Sequence, residues 1–412
     1  MPLIYWRASL AALFLCLVGP LSASAQEPVS EPQGYLREPG LIERIAVFAD
    51  RRQGNGELTN GYYIDLQNMI AGAGWISAGP GYRHWYKKDS VFVDASAAIS
   101  WRGYKMAQAR FELPKLARSR FAVGSQVRLQ DLTQVNYFGE GPDSLESNAS
   151  EYRLVSRNLV GYATYRPVKW LGIRGSAGWL KPDVRTRSGF FKRDRPSTED
   201  VFGADIVFAQ PDQPSFVHTE ASIEADRRDF PGHPTEGGLY RAAATNYSDR
   251  DAGRFSFTRY ETEAAHFIPL ADSRIVVALR GWLAGSDTGE GQTVPFYLQP
   301  SLGGANSLRS FADYRFHDRN MLLVNAEARV KMMTHVDAAF FVDAGNVAPR
   351  FGDLNLDRRS VGAGLRIHTR RETFGRIDVA RGSEGWRFLV RLTDPLNLSR
   401  LARRTAAAPF VP

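Results

Sequence analysis

The sequence predicts an all-β chain folded as a transmembrane antiparallel β-barrel of about sixteen strands, its lumen occupied by a long inward-folded loop. Three observations predict the barrel. The N-terminus is built like a signal peptide, no run of about 18 apolar residues follows residue 25, and segments of roughly ten residues repeatedly alternate apolar with polar side chains.

In residues 1–25, Arg7 supplies a positive start, Ala8 to Val18 an apolar core too short to span a bilayer, and Ala23-Ser24-Ala25 a small-residue cleavage site. Leu15 precedes Cys16, which argues against a lipoprotein, so the single cysteine of the chain leaves with the peptide. Residues 26–71 then form a periplasmic N-terminal segment. Within it Pro39 to Arg52 has helical periodicity, with Leu41, Ile42, Ile45 and Phe48 on one face. The barrel is expected over 72–396, with a C-terminal tail over 397–412. The 52 Lys and Arg against 44 Asp and Glu are spread along the chain without blocks, which leaves a nucleic-acid role unsupported.

Alternation separates a membrane barrel from a soluble exported protein. Val93, Ala95, Ala97, Ile99 and Trp101 share one face, and Asp94, Ser96, Ser100 and Arg102 the other. Phe121, Val123, Val127 and Leu129 oppose Gly124, Gln126, Arg128 and Gln130. His218, Glu220, Ser222, Glu224 and Asp226 oppose Val217, Ala221 and Ile223; Gly362, Gly364, Arg366, His368 and Arg370 oppose Val361, Ala363, Leu365 and Ile367. Trp101, Trp170, Trp179, Trp282 and Trp386 fall near segment ends, where an aromatic girdle belongs. The segments run over about 72–86, 90–102, 105–113, 120–130, 150–166, 168–180, 198–208, 214–227, 237–247, 255–268, 274–285, 319–332, 335–345, 360–370, 374–382 and 386–395. Some gaps are short, such as Arg166-Pro167-Val168 and Met333-Thr334; those at 131–149, 181–197 and 286–318 are long, as in an outer-membrane barrel.

The candidate site lies between Leu302 and Asp343. The Gly-rich loop LGGANSLRSF carries Gly303, Gly304, Leu308, Arg309, Ser310 and Phe311, and each of the two following segments has an acid on its polar face, Glu327 and Asp343. Glu327 shares its face with Asn325, Arg329 and Lys331, and Asp343 shares its face with Asp337. An arginine in a partly dehydrated lumen needs carboxylate partners, and a planar guanidinium can bridge two.

These residues resemble the BamA/TamA outer-membrane assembly superfamily, the bacterial surface antigen barrels, over about residues 130–395. In that family a lumen loop ends in V/I-R-G-F/Y, which Leu308-Arg309-Ser310-Phe311 matches, with Glu327 and Asp343 at the positions of its acidic partners. Phe138 to Ser144 resembles its FYGxGNxS loop, and Arg228-Asp229-Phe230 to Pro234-Thr235-Glu236-Gly237 its R-D-x-x-x-P-T-x-G turn. The last segment is similar to the signal read by the barrel-assembly machinery, with Gly385, Phe388 and Val390 at its defining positions. Two departures stand out. Ser310 replaces the family glycine, a cost if that position needs positive φ or close backbone approach. The stretch ahead of residue 72 is too short for a POTRA domain, so the expected form lacks one.

The resemblance implies insertion or translocation of protein or lipid through a weak seam between the first and last strands. It implies as partners outer-membrane lipid and lipopolysaccharide and the assembly machinery for the chain's own insertion; without a POTRA domain, either a periplasmic or outer-membrane protein delivers clients or the function has drifted. No enzyme activity, cofactor or metal is expected: G-x-S-x-G, H-E-x-x-H and phosphate-loop motifs are lacking, and His218 and His368 suit polar lumen positions. A passive channel is the alternative, and a lipid-modifying enzyme with a spatial Ser–His site is the third reading.

Overall fold

A computed structural model describes residues 34–40, 42–44, 60–70, 73–87, 89–188, 195–203, 213–369 and 371–396. The expected signal peptide, Cys16 and the 397–412 tail lie outside these residues. Of the expected helix, residues 40 and 42–44 are helical, and 45–52 lie outside the description.

Eleven strands come first: β1 Gly61–Ile70, β2 Ala73–Tyr86, β3 Val91–Ser100, β4 Lys105–Leu116, β5 Phe121–Tyr137, β6 Ser150–Val168, β7 Leu171–Thr186, β8 Phe216–Asp226, β9 Gly237–Asp249, β10 Phe257–Leu270 and β11 Ile275–Thr288. A long loop follows, carrying the two-residue strands β12 Ser301–Leu302 and β13 Phe316–His317. The wall resumes with β14 Asn320–Met333, β15 Val336–Ala348, β16 Arg358–His368, β17 Thr373–Gly382 and β18 Gly385–Arg391. All but β12 and β13 form one sixteen-stranded sheet in chain order, every pair antiparallel.

The chain is a transmembrane antiparallel β-barrel, and its polarity is that of a protein turned inside out. Val123, Val127 and Leu129 on β5 are 43%, 41% and 46% exposed, whereas Gln126 and Gln130 between them are 4% exposed. The same inversion holds on β3 and β8, where Asp94, Ser96, His218, Glu220 and Glu224 are buried. Lipid therefore meets the apolar face, and the polar side chains satisfy one another inside.

Two expectations need correction. The first strand is β1, inside the stretch assigned to the N-terminal segment, so the sheet begins at Gly61 and not at residue 72. Tyr62, Ile64 and Leu66 alternate with Tyr63, Asp65 and Gln67, and the ladder with β2 is regular until its register shifts between Asn68 and Ile70. Conversely, the expected strand 198–208 opens as a helix, α1, over Thr198–Phe202. Ser197 at the cap position and Glu199 and Asp200 in the first turn are helix-start chemistry that outweighed a short apolar run. The two errors offset, so the strand number survives. Trp101, Trp170, Trp179 and Trp386 are outward and 39–70% exposed. Trp282 instead packs on the lumen loop's apolar cluster.

Candidate functional site: the arginine-tipped loop

The segment between β11 and β14 fills the lumen in two halves. In the first, Val294, Phe296, Tyr297 and Leu298 join an apolar cluster with Tyr137, Tyr152, Leu180, Phe216, Tyr247 and Phe257 from the β5–β10 wall. In the second, Leu302, Leu308, Phe311 and Phe316 pack on Ala284, Met321, Leu323 and Val347 from β11, β14 and β15. Asn136 of β5 donates to the Asp313 carbonyl at 3.0 Å, and Arg376 of β17 donates to the Ala305 carbonyl at 2.8 Å. One loop thus ties together strands far apart in the sheet order, β5 and β17.

Its tip is a tight reversal. Gly303 and Gly304 have φ of 115° and 99°, and a Cβ on Gly303 would sit 2.1 Å from the Ala312 carbonyl oxygen. The Gly304 amide donates to the Phe311 carbonyl at 3.1 Å, the Phe311 amide to the Leu308 carbonyl at 3.1 Å, and the Gly303 amide to Ser307 Oγ at 2.9 Å. These bonds turn Leu308 and Phe311 towards the wall and point Arg309 between two strands.

Arg309 meets both acids that the sequence assigned to it. Its Nη1 donates to Glu327 at 2.6 Å, its Nε and Nη2 to the two oxygens of Asp343 at 2.9 and 2.7 Å, and its backbone amide to Asp343 at 3.1 Å. The guanidinium carbon lies 3.3 Å from the centroid of the Phe341 ring. Arg309, Glu327 and Asp343 are 2%, 2% and 0% exposed, so this contact is fully dehydrated. Strand register explains the fit. Asp343 pairs with Asn325 on one side and Ser360 on the other, so consecutive tip residues meet consecutive partners: Arg309 takes Asp343 and Ser310 takes Ser360. Ser310 and Ser360 hydroxyls lie 2.6 Å apart, and the Ser310 amide donates to Ser360 Oγ at 3.1 Å.

Sequence reading missed the rest of the network. Glu327 also accepts from Arg329 at 2.9 Å and from Arg366 at 2.7 Å; Arg366 reaches Asp378 at 2.5 Å, and Arg329 reaches Asp394 at 3.0 Å. Arg376 lies 3.6 Å from Asp378, and Asn325 donates to Asp343 at 2.8 Å. Arg309, Arg329, Arg366 and Arg376 therefore face Glu327, Asp343, Asp378 and Asp394, four formal charges of each sign, which is what makes so much buried charge tolerable. The available signal was the polar face that Arg329 and Arg366 share with their neighbours; which of those residues meet needed the barrel's curvature.

The other turn motifs also serve the loop or the barrel mouth. Glu140 bridges to His317, the Gly141 amide donates to the His317 carbonyl at 2.8 Å, and Arg315 donates to Ser144 Oγ at 2.8 Å and to Glu384 at 2.6 Å. Asp229 accepts from the Thr235 amide at 3.0 Å, closing the 227–236 turn. Gly385 opens β18 with φ of 103°, and Phe388 and Val390 face outward, 66% and 43% exposed.

Fold and site together define the class: a membrane-spanning β-barrel whose lumen holds an arginine-tipped loop latched to its inner wall. Within that class, residues 183–380, just under half of the chain, match the model of the Omp85 superfamily domain. Among solved structures it is similar to BamA from Haemophilus ducreyi lacking POTRA domains 1–3, with 14% identity and a TM-score of 0.60, covering 81% of this chain and 71% of that one. It is also similar to CdiB from Acinetobacter baumannii, with 13% identity and a TM-score of 0.50, covering 82% of this chain and 60% of that one. At these identities the likeness is one of fold. No curated protein matches the chain.

Proposed function

We propose that this protein resides in the outer membrane of a Gram-negative bacterium and works on the membrane itself, inserting or translocating protein or lipid. The observation that carries the reading is the Arg309 latch. A loop held by a dehydrated ion pair and backed by two apolar clusters gives a lumen that is closed at rest and has a defined element to move. The end strands support it further: β18 has seven residues, so a ladder to β1 offers at most about half the backbone pairing of the fourteen-residue β10–β11 pair. A client delivered from the periplasm would find the weakest wall there.

Planar-bilayer recordings of the wild type and Arg309→Ala test this reading. Small, fluctuating conductance that rises when Arg309 is lost fits a movable loop, and insertion assays with vesicle-borne clients follow from it. Large, steady conductance indifferent to Arg309 sinks the proposal and leaves a passive channel.

A further inference from the structure

A second buried cluster lies towards the short-turn end of the strands and adjoins the latch network at Asp394. His368 is the last residue of β16, eight residues from Ser360, roughly 26 Å away at about 3.3 Å per residue. Beside it are Asp337, near the start of β15, and His233, from the turn between β8 and β9. Four wall strands, β10, β11, β14 and β15, separate β9 from β16, so His233 arrives from elsewhere on the circumference. Its turn is held in place by the Thr373 amide donating to the Gly232 carbonyl at 3.0 Å. His233, Asp337 and His368 are 3%, 6% and 3% exposed.

The hydrogen bonds around the two rings fix their tautomers. His368 Nδ1 lies 2.9 Å from the Thr369 carbonyl, which can only accept, so Nδ1 carries a hydrogen. Thr373 donates its hydroxyl hydrogen to Asp394 at 3.3 Å and so accepts from His233 Nδ1 at 3.0 Å. In both neutral rings Nε2 is then a bare lone pair. The His233 and His368 Nε2 atoms lie 3.3 and 3.2 Å from the two oxygens of Asp337. Three electron-pair donors thus converge with no hydrogen between them, an arrangement that only a cation makes favourable. Protons would require two imidazolium rings stacked 3.7 Å apart in a buried site, and a single imidazolium would leave the other lone pair against the carboxylate.

We infer that His233, Asp337 and His368 bind one divalent transition-metal ion of the zinc class, which staples the 227–236 turn across the short-turn end of the barrel. A tetrahedral zinc with bonds of about 2.0–2.1 Å sets its ligands about 3.3 Å apart, the separation seen between each Nε2 and the carboxylate. All three ligand atoms lie within 4.8 Å of one another. The Nδ1–H bonds to Thr369 and Thr373 are the outer contacts that orient ligating imidazoles. The rings lie within 9° of parallel, so one turns about its Cβ–Cγ bond to aim both lone pairs at one ion; the rotation is soft. Water takes the fourth position. The site departs from the sequence reading, which expected no metal and gave His368 only a polar lumen role.

The test uses the full chain purified in detergent and stripped with EDTA, then titrated with Zn2+ under elemental analysis and with Co2+ under visible spectroscopy. One ion per chain and a tetrahedral Co2+ spectrum are expected. His233→Ala, His368→Ala and Asp337→Asn should each weaken binding by about 100-fold, Thr373→Val by about 10-fold, and His335→Ala, paired with Glu38 outside the cluster, not at all. Heat-modifiable mobility on gels, with the unheated compact barrel running ahead of the boiled chain, establishes that each variant is folded, and His233→Gln serves if His233→Ala is not. Folded wild type without stoichiometric metal, or binding unchanged in the folded variants, overturns the proposal and leaves a cluster held by protons.

Discussion

Ser310 rests directly on Gly382: a Cβ on that glycine would lie 2.1 Å from Ser310 Oγ and 3.0 Å from its Cβ. The serine at the position of the family glycine is thus accommodated from the opposite side, by a glycine of β17. Ser310 is not among the residues of positive φ, so its side chain carries no backbone strain, and its hydroxyl gains Ser360.

A reciprocal pair of substitutions tests this packing. Gly382→Ala should destabilise the barrel by about 1–3 kcal/mol through overpacking. Ser310→Gly alone should cost about 1 kcal/mol, the worth of one hydrogen bond. The double variant should recover part of the Gly382→Ala loss; strict additivity in urea unfolding would show that the two residues do not touch.

The latch is open to a cross-linking test. Ser310→Cys with Ser360→Cys places thiols where hydroxyls now lie 2.6 Å apart, and the chain's single natural cysteine is Cys16. A disulfide should form readily, and Arg309→Ala should suppress it by removing about 3–5 kcal/mol of loop docking, since Asp343 loses its guanidinium. Arg309→Lys should rescue little, because a point-like ammonium cannot bridge Asp343 and Glu327 together. Equal cross-linking in all three backgrounds would dismiss the latch.

Acid should act on the loop in two opposing ways. Burial holds His317 at about 3, below its ordinary 6.5, so a displaced loop takes up a proton before the docked one. Docking therefore weakens as pH falls from about 6.5 towards 3. Asp318 is pushed up to about 6, chiefly by burial and further by Glu140, so the docked loop is protonated first and docking strengthens as pH falls through about 6 to 3.8. The wild type should show a shallow slope between pH 4 and 6. His317→Gln should leave the protonation of Asp318 unopposed, so that cross-linking of the Ser310→Cys/Ser360→Cys pair rises on acidification; no difference between the backgrounds would count against both burials.

The wall makes its own prediction. Leu129→Arg puts a charge on the lipid face near the middle of β5 and should cost about 2–4 kcal/mol of folding into vesicles. Gln130→Arg, one residue on but facing the lumen, should cost much less. Comparable losses would contradict the assigned faces.

Much of this was legible in the residues because a bilayer imposes a period. Apolar side chains must recur every second residue on the lipid face, so the faces of β3, β5, β8 and β16 could be read directly. Reading failed in two places: β1 was passed over although Tyr62, Ile64 and Leu66 keep the period, and the apolar residues of 198–208 masked the start of α1 at Ser197. Trp282 has the composition of a girdle residue, but its parity along β11 turns it inward.

The sequence by itself determined the inverted polarity of the wall and the strand rhythm, because each depends on side-chain chemistry and a spacing of two; the choice of Arg309, Glu327 and Asp343 leaned on the resemblance of the loop and the two strands after it. Tertiary structure alone decided that Arg366, Arg329 and Asp394 complete the network, that Gly382 makes room for Ser310, and that His233 reaches Asp337 and His368. Those contacts join residues up to 135 positions apart, the span from His233 to His368. Only the folding of the sixteen-stranded sheet and its loops, which fixes distances between strands that share no ladder, brings them together.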